Sequence, residues 1–258
     1  MDLVNSYRLA KRNILVNTDP GTMVFLLMMP TLYLVFMGYM FGSLISSIPV
    51  GTSKINYMNF LSPGIISFQT LTAGAVAGGM LWSDRRYGMF EQIISGPYTR
   101  AEYLLGIMFT TISIAIFGAL IMLLISFALV GGISFGVAGL ALIIFNLVLG
   151  SLFWGAFMLA LAAVSKSNQM YNSIQVLILF FASFASTVFY PISQSAPLAL
   201  RYTVTLNPLT YVADAIRDGY ISLFGPSLLY DEIVLALATA VMFFIALLSY
   251  RTIRIGVK

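Results

Sequence analysis

The chain has no cysteine and no histidine. Disulfides, thiolate or imidazole metal ligands, cysteine nucleophiles and histidine-based proton transfer are thereby excluded together. Charge is almost as scarce: 13 Lys and Arg with 9 Asp and Glu make 9% of 258 residues, against about 25% in an ordinary soluble domain. The charges are also gathered into a few clusters, which leaves 20–53, 55–83, 103–165, 167–200 and 233–250 without Asp, Glu, Lys or Arg. About 20 apolar residues cross the hydrocarbon of a bilayer as a helix, and 60% of this chain is hydrophobic. The sequence reads as an all-α integral membrane protein.

The run 103–165 is too long for one crossing and is interrupted by Gly131, Gly132, Ser134 and Gly136, which predicts two spans and a turn. Six transmembrane helices follow, at about 22–44, 59–82, 104–130, 138–164, 170–190 and 230–250, in a single transmembrane domain over 1–258. The first seventeen residues carry Asp2, Arg8, Lys11 and Arg12 and no continuous apolar core, so a secretory signal is not expected. Leu3, Tyr7, Ala10 and Ile14 recur at helical spacing, which predicts an N-terminal interfacial helix over 1–18; a merely solvated helix is the alternative. Asp19 before Pro20 reads as an N-cap that starts the first span.

Basic residues are retained on the cytoplasmic side during insertion. An even number of spans with both termini inside places Arg8, Lys11, Arg12, Arg85, Arg86, Arg100, Lys166, Arg251, Arg254 and Lys258 in the cytoplasm and only Lys54, Arg201 and Arg217 outside. Asp231 and Glu232 then open the last span at its positive dipole end. The net charge of +4 is a topology signal and carries no nucleic-acid inference.

Catalysis finds no support: a membrane-embedded serine such as Ser151 has no base within a span. Proton-coupled transport leaves ionisable groups at bilayer depth, and the spans hold none. Sodium coupling stays open, but it goes with paired broken helices, and no internal repeat is evident. The phosphate-cradling G-x-x-x-x-G-K-[ST] loop is also absent. If the protein pumps, its fuel enters through a separate subunit.

Segment 83–102 could receive such a subunit. Met89, Phe90, Ile93 and Ile94 make one helical face with Glu91 elsewhere, Gly96-Pro97 stops that helix, and Thr99 to Glu102 forms a capping box for the third span. The plainer reading is a loop with topogenic charges, Arg85 and Arg86 among them.

Three stretches resemble the type 2 ABC exporter permeases, the membrane subunits of drug, lipid and polysaccharide exporters: FLSPGII at 60–66, DRRYGMFEQIISGPYTR at 84–100 and NPLTYVADAIR at 207–217. The resemblance implies a permease homodimer, or a heterodimer with a similar permease, bound to two ATP-binding cassette ATPase subunits in the plasma membrane of a prokaryote. This chain would hold no cofactor, with ATP and Mg on the partner. Carried over, 86–95 becomes the cytoplasmic coupling helix between spans 2 and 3, with Arg86, Met89, Phe90, Glu91, Ile93 and Ile94 as coupling residues.

Between the fifth and sixth spans, Asn207 can cap a helix with Pro208 in its first turn; Leu209, Val212, Ala213, Ile216 and Tyr220 share a face, and Asp214, Arg217 and Asp218 can pair. A shorter helix can precede it at 197–202. As in the family, these are expected to be short re-entrant helices, with Asn207, Pro208, Asp214 and Arg217 as an external gate or a bracing lid. Gly74 and Gly78 allow close helix packing. Gln69, Thr72, Gln175 and Ser183 are candidate path-lining residues or structural hydrogen-bonders, and Phe180, Phe181, Phe184 and Phe189 suit an amphiphilic cargo or lipid. Trp82, Tyr57, Tyr190, Tyr202 and Tyr250 read as interfacial anchors. The two functional classes are an exporter permease for a drug, lipid or glycoconjugate, and a channel or non-energised membrane scaffold.

Overall fold

A computed structural model of the chain describes residues 2–17, 20–45, 47–50, 53–130, 135–193 and 195–251. The expected Asp19 cap, the Gly131/Gly132/Ser134 turn and the Arg254 and Lys258 charges lie outside the described residues. Among the described residues the protein is all-helical apart from one short hairpin. Five helical stretches among them are long and apolar enough to cross a membrane: Gly21–Leu44, Tyr57–Arg86, Arg100–Val130, Val137–Val164 and Leu228–Ser249.

In chain order, α1 (Leu3–Asn17) precedes α2 (Pro20–Leu32), a π-helical stretch Tyr33–Met37 and α3 (Gly38–Leu44), which together make the first long stretch. Strands β1 (Ile48–Val50) and β2 (Ser53–Ile55) form an antiparallel hairpin with Ile48 opposite Ile55 and Pro49 opposite Lys54. There follow α4 (Tyr57–Arg86), α5 (Met89–Ser95), α6 (Arg100–Val130), α7 (Val137–Val164), α8 (Asn168–Phe184), α9 (Leu198–Thr205), α10 (Pro208–Tyr220) and α11 (Pro226–Arg251). The bundle therefore has an elbow end, where α1 and α5 sit, and a hairpin end, where β1, β2 and α10 sit.

The core is built around α4, which is buried for most of its length and packed by α6, α7 and α10. Small residues make this possible. A side chain on Gly74 would come within 2.7 Å of Trp154, and one on Gly78 within 2.7 Å of the Met158 carbonyl, so the paired glycines let α4 and α7 approach closely. Helix α11 packs along α7, and α1 lies along α6.

The buried stripe of α1 is rotated from the expected one. Ser6, Leu9, Ala10 and Asn13 are buried, whereas Leu3 and Tyr7 are exposed. Gly106 explains the rotation: its missing side chain admits Leu9, whose Cβ would lie 2.7 Å from a Cβ there. Tyr57 also departs from its expected role as an anchor at the membrane surface. It is buried, and its hydroxyl donates to the Phe189 carbonyl at 2.9 Å.

The fifth expected span, 170–190, is helical only to Phe184. Residues 185–193 then run without helix. Buried non-helical backbone is stable only where its hydrogen bonds are met, since each unmet group costs several kcal/mol. The cover here is α4: a side chain on Gly64 would collide with the Val188 carbonyl, so only glycine lets the strand of chain lie this close.

Candidate functional site

At the elbow end, Gly88 adopts φ +70° and reverses the chain from α4 into α5, a conformation that costs a residue with a Cβ about 1 kcal/mol or more. Phe90 and Ile93 are buried and Met89, Glu91 and Ile94 half-buried, while Arg86, Tyr87 and Gln92 are exposed. Phe90 and Ile93 are therefore not surface contacts as the amphipathic pattern alone suggests. The reason is Tyr103, whose ring meets Phe90 edge-on at 5.3 Å between centroids and completes its burial inside the chain.

The predicted capping box is present. The Thr99 amide donates to Glu102 Oε2 at 2.8 Å and the Glu102 amide to Thr99 Oγ1 at 3.2 Å. The other Glu102 oxygen accepts from the Asp2 amide at 2.7 Å, tying the start of α1 to the start of α6. A second tie was not legible beforehand: Arg12 donates through both Nη atoms to Asp84, at 2.8 and 3.1 Å, and the Tyr103 hydroxyl donates to Asp84 Oδ2 at 2.9 Å. The hydrogen bonds that Arg12 donates to Asp84 hold the Arg12 pKa above its ordinary value. Helix α1, α4, the elbow and α6 are thus joined through one carboxylate and one phenol.

A cavity of about 540 Å³ opens between α2, α4 and α8. Its walls are mainly apolar, with Tyr33, Phe68, Phe180 and Phe184 contributing rings, and Thr72, Gln175 and Ser183 supply polar atoms. Three of the four predicted path residues therefore meet in one place. Gln69 does not join them: it is buried toward α6, where a side chain on Gly118 would come within 2.6 Å of its Oε1, and its Nε2 has no partner among the described residues. Among the described residues no charged side chain lines this cavity.

Phe189 packs behind three of the rings that line the cavity, on the side toward the hairpin end. Its ring lies 5.2 Å from Tyr33, 5.0 Å from Phe184 and 6.5 Å from Phe68, and it is buried. Tyr33 reaches this cluster from the π-helical turn that follows Pro30, and such widened turns re-aim side chains at functional places.

Beyond Phe189, α10 holds the broken segment. Asn207 is the bolt at one side: its Oδ1 accepts from the Leu209 amide at 3.0 Å as the cap ahead of Pro208, while its Nδ2 donates to the carbonyls of Ala182 and Ala185, both at 2.7 Å. One amide side chain thus satisfies the end of α8 and the start of α10. Arg217 is the bolt at the other. It is 3% exposed, pairs with Asp214, and donates to the carbonyls of Thr187 at 2.8 Å and Phe60 at 3.3 Å, with its guanidinium 3.9 Å from the Phe60 ring. The Thr187 hydroxyl in turn donates to Asp214 Oδ1 at 2.8 Å. Burial draws the Arg217 pKa below its ordinary value, and Asp214 pulls it back up. A buried cation of this kind is stable only because every direction it faces offers an acceptor or a π-face. The four predicted gate residues, Asn207, Pro208, Asp214 and Arg217, thus converge on the non-helical chain that follows α8 from Ala185. Phe189 and Tyr33 complete it, and sequence periodicity had no means to place them, since the break itself is set by α10 and Gly64.

The chain matches the ABC-2 type transporter family over residues 7–221. It is 29% identical over 211 residues to the protein of Porphyra purpurea named as a transport permease, ycf38, covering 78% of this chain and 68% of that protein. It is 28% identical over 212 residues to the protein of the same name from Pyropia yezoensis, covering 79% and 69%. The match spans α1 to α10, and so includes the elbow, the cavity walls and the helix break. The chain belongs to the ABC-2 type transporter family, as a multi-pass transport permease subunit.

Proposed function

We propose that the chain is the transmembrane half of an ATP-driven exporter that moves a hydrophobic or amphiphilic compound out of the cytoplasm of a prokaryote. Six spans, with α8 and the chain after it as the fifth, put both termini and the elbow in the cytoplasm and the hairpin and α10 outside. Two separate ATPase subunits, carrying ATP and Mg, dock at the elbow of a permease dimer, made of two copies or of this chain and a similar permease. The observation that carries this reading is the uncharged, ring-lined cavity between α2, α4 and α8, backed by Phe189 on the side toward the hairpin end, with the elbow at the bundle's other end.

The exposed edge of the elbow, Arg86, Tyr87 and Gln92, meets the ATPase. Phe90 and Ile93 carry the displacement inward to Tyr103 and α6. Motion of α6 and α4 then loosens the segment at 185–193, and cargo leaves past Phe189. An uncharged, aromatic path favours a drug, lipid or glycolipid over a free sugar or ion. A cavity backed by packed rings speaks against an open channel.

Co-purification and reconstitution test the reading together. Arg86→Glu with Gln92→Arg is expected to abolish ATPase association and ATP-dependent flux in proteoliposomes while the chain still inserts. Flux from the purified chain without nucleotide would instead support a channel or scaffold.

A further inference from the structure

A second pocket, of about 330 Å³, lies on the far side of the helix break from the apolar cavity. Its acidic wall is Asp214, Asp218 and Asp231, its apolar wall includes Phe60 and Ile192, and Arg217 is the one cation lining it among the described residues. That cation is already committed to Asp214, to two backbone carbonyls and to the Phe60 ring. Asp218 is different. It is only 8% exposed, and its carboxylate opens into the pocket with no hydrogen-bond partner among the described residues. Asp231, half-buried on α11, likewise has no hydrogen-bond partner among them. Lys54 and Arg201 stand outside the pocket, exposed.

We infer that this pocket binds the positively charged nitrogen or phosphorus headgroup of a lipophilic cation, with Asp218 and Asp231 as its counter-charges, and that the cargo of this permease is therefore an amphiphilic cation. The inference rests on the exporter reading for its second clause and on the pocket alone for its first. The two sites form a sequence. The cavity holds the apolar body against Tyr33, Phe68, Phe180 and Phe184, whose ring faces also attract a cation. Phe189 separates it from Thr187 and Ile192, which line the acidic pocket. A cation that passes Phe189 meets three carboxylates against the single guanidinium of Arg217 among the described lining residues, so the charge pulls cargo outward.

The groups that face Asp218 are Asp214 and Arg217 from its own helix and Asp231 from α11, while α4 and β1 present Phe60, Pro49 and Val50. Burial, with Asp214 adding to it, pushes the Asp218 carboxyl up to about 6. A bound cation favours the ionised form, so binding is expected to weaken as pH falls from 7.5 through that value.

Equilibrium binding of tetraphenylphosphonium to the purified full-length chain in lipid nanodiscs tests this, with tetraphenylborate as the anion of matched size. Asp218→Asn and Asp231→Asn are each expected to weaken tetraphenylphosphonium about tenfold, the effect of one lost counter-charge in a half-buried site, and to leave or improve tetraphenylborate binding. Thermal melting of each variant identifies a folding defect; if Asp218→Asn melts early, Asp231→Asn decides. Unchanged tetraphenylphosphonium affinity in the folded variants, or equal loss of both probes, overturns the inference. Displacement of tetraphenylphosphonium by micromolar Ca²⁺ would overturn it in favour of an inorganic cation. Because binding needs no ATPase, retained binding without ATP-driven transport would sink the exporter reading and leave the site standing. ATP-driven export of an uncharged compound with no tetraphenylphosphonium binding would do the reverse.

Discussion

Both ends of the bundle are fastened by an arginine–aspartate pair, and the two pairs differ in what they replace. At the elbow end, Arg12 and Asp84 join two intact helices, with 27% and 11% of their side chains exposed. At the hairpin end, Arg217 and Asp214 are three residues apart on one helix, Arg217 is almost fully buried, and its remaining donors go to carbonyls of α4 and of a segment that has lost its helix. The first pair links parts that are already stable and so transmits movement. The second stands in for missing backbone hydrogen bonds, so the segment it holds is the part of the membrane domain most easily released.

Substitutions should divide along the same line. Arg217→Ala leaves the Thr187 carbonyl and Asp214 without their cation inside the protein, and is expected to cost about 3–5 kcal/mol and to strip the chain of protection from proteolysis near 185–193. Arg217→Lys should rescue it poorly, because an ammonium lacks the fork that reaches three acceptors. Phe90→Ala opens a hole against Tyr103 worth about 3 kcal/mol and should uncouple ATP hydrolysis from transport while the hairpin end stays protected. Asp84→Asn keeps the volume and weakens one charge-assisted contact by about 1–2 kcal/mol. A double-mutant cycle of Arg12→Ala with Asp84→Asn should show that most of this loss is shared by the pair. If Arg217→Ala and Asp84→Asn gave the same proteolysis pattern, the contrast between the two ends would be lost.

Much of this was written in local sequence. Charge-free runs located five of the six expected spans as long apolar helices, Thr99 and Glu102 announced the cap of α6, and Asn207-Pro208 announced the start of α10, because each is a local rule with few competitors. Thr72, Gln175 and Ser183 were recognisable as polar groups in apolar helices, and the fold brings them to one cavity. Gln69 shared that description and turned toward α6, because helical position alone does not say which neighbour is near. The inward turn of Phe90 depends on Tyr103, a partner outside its own helix. The end of α8 at Phe184 depends on Asn207, some twenty residues later, and on the bare backbone of Gly64. The hairpin at 48–55 is too short, and its Pro49 too poor a strand former, for periodicity to announce it.

Since the chain has no native cysteine, a pair introduced as Tyr33→Cys and Phe189→Cys can be joined by a short bis-methanethiosulfonate crosslinker, cleavable by a reducing thiol, across rings now 5.2 Å apart. The decisive measurement is ATP-driven flux with the link closed and after its cleavage. Flux that stops while ATPase binding persists, and returns on cleavage, is the predicted result; undiminished flux through the crosslinked protein would contradict the placement of the exit at Phe189.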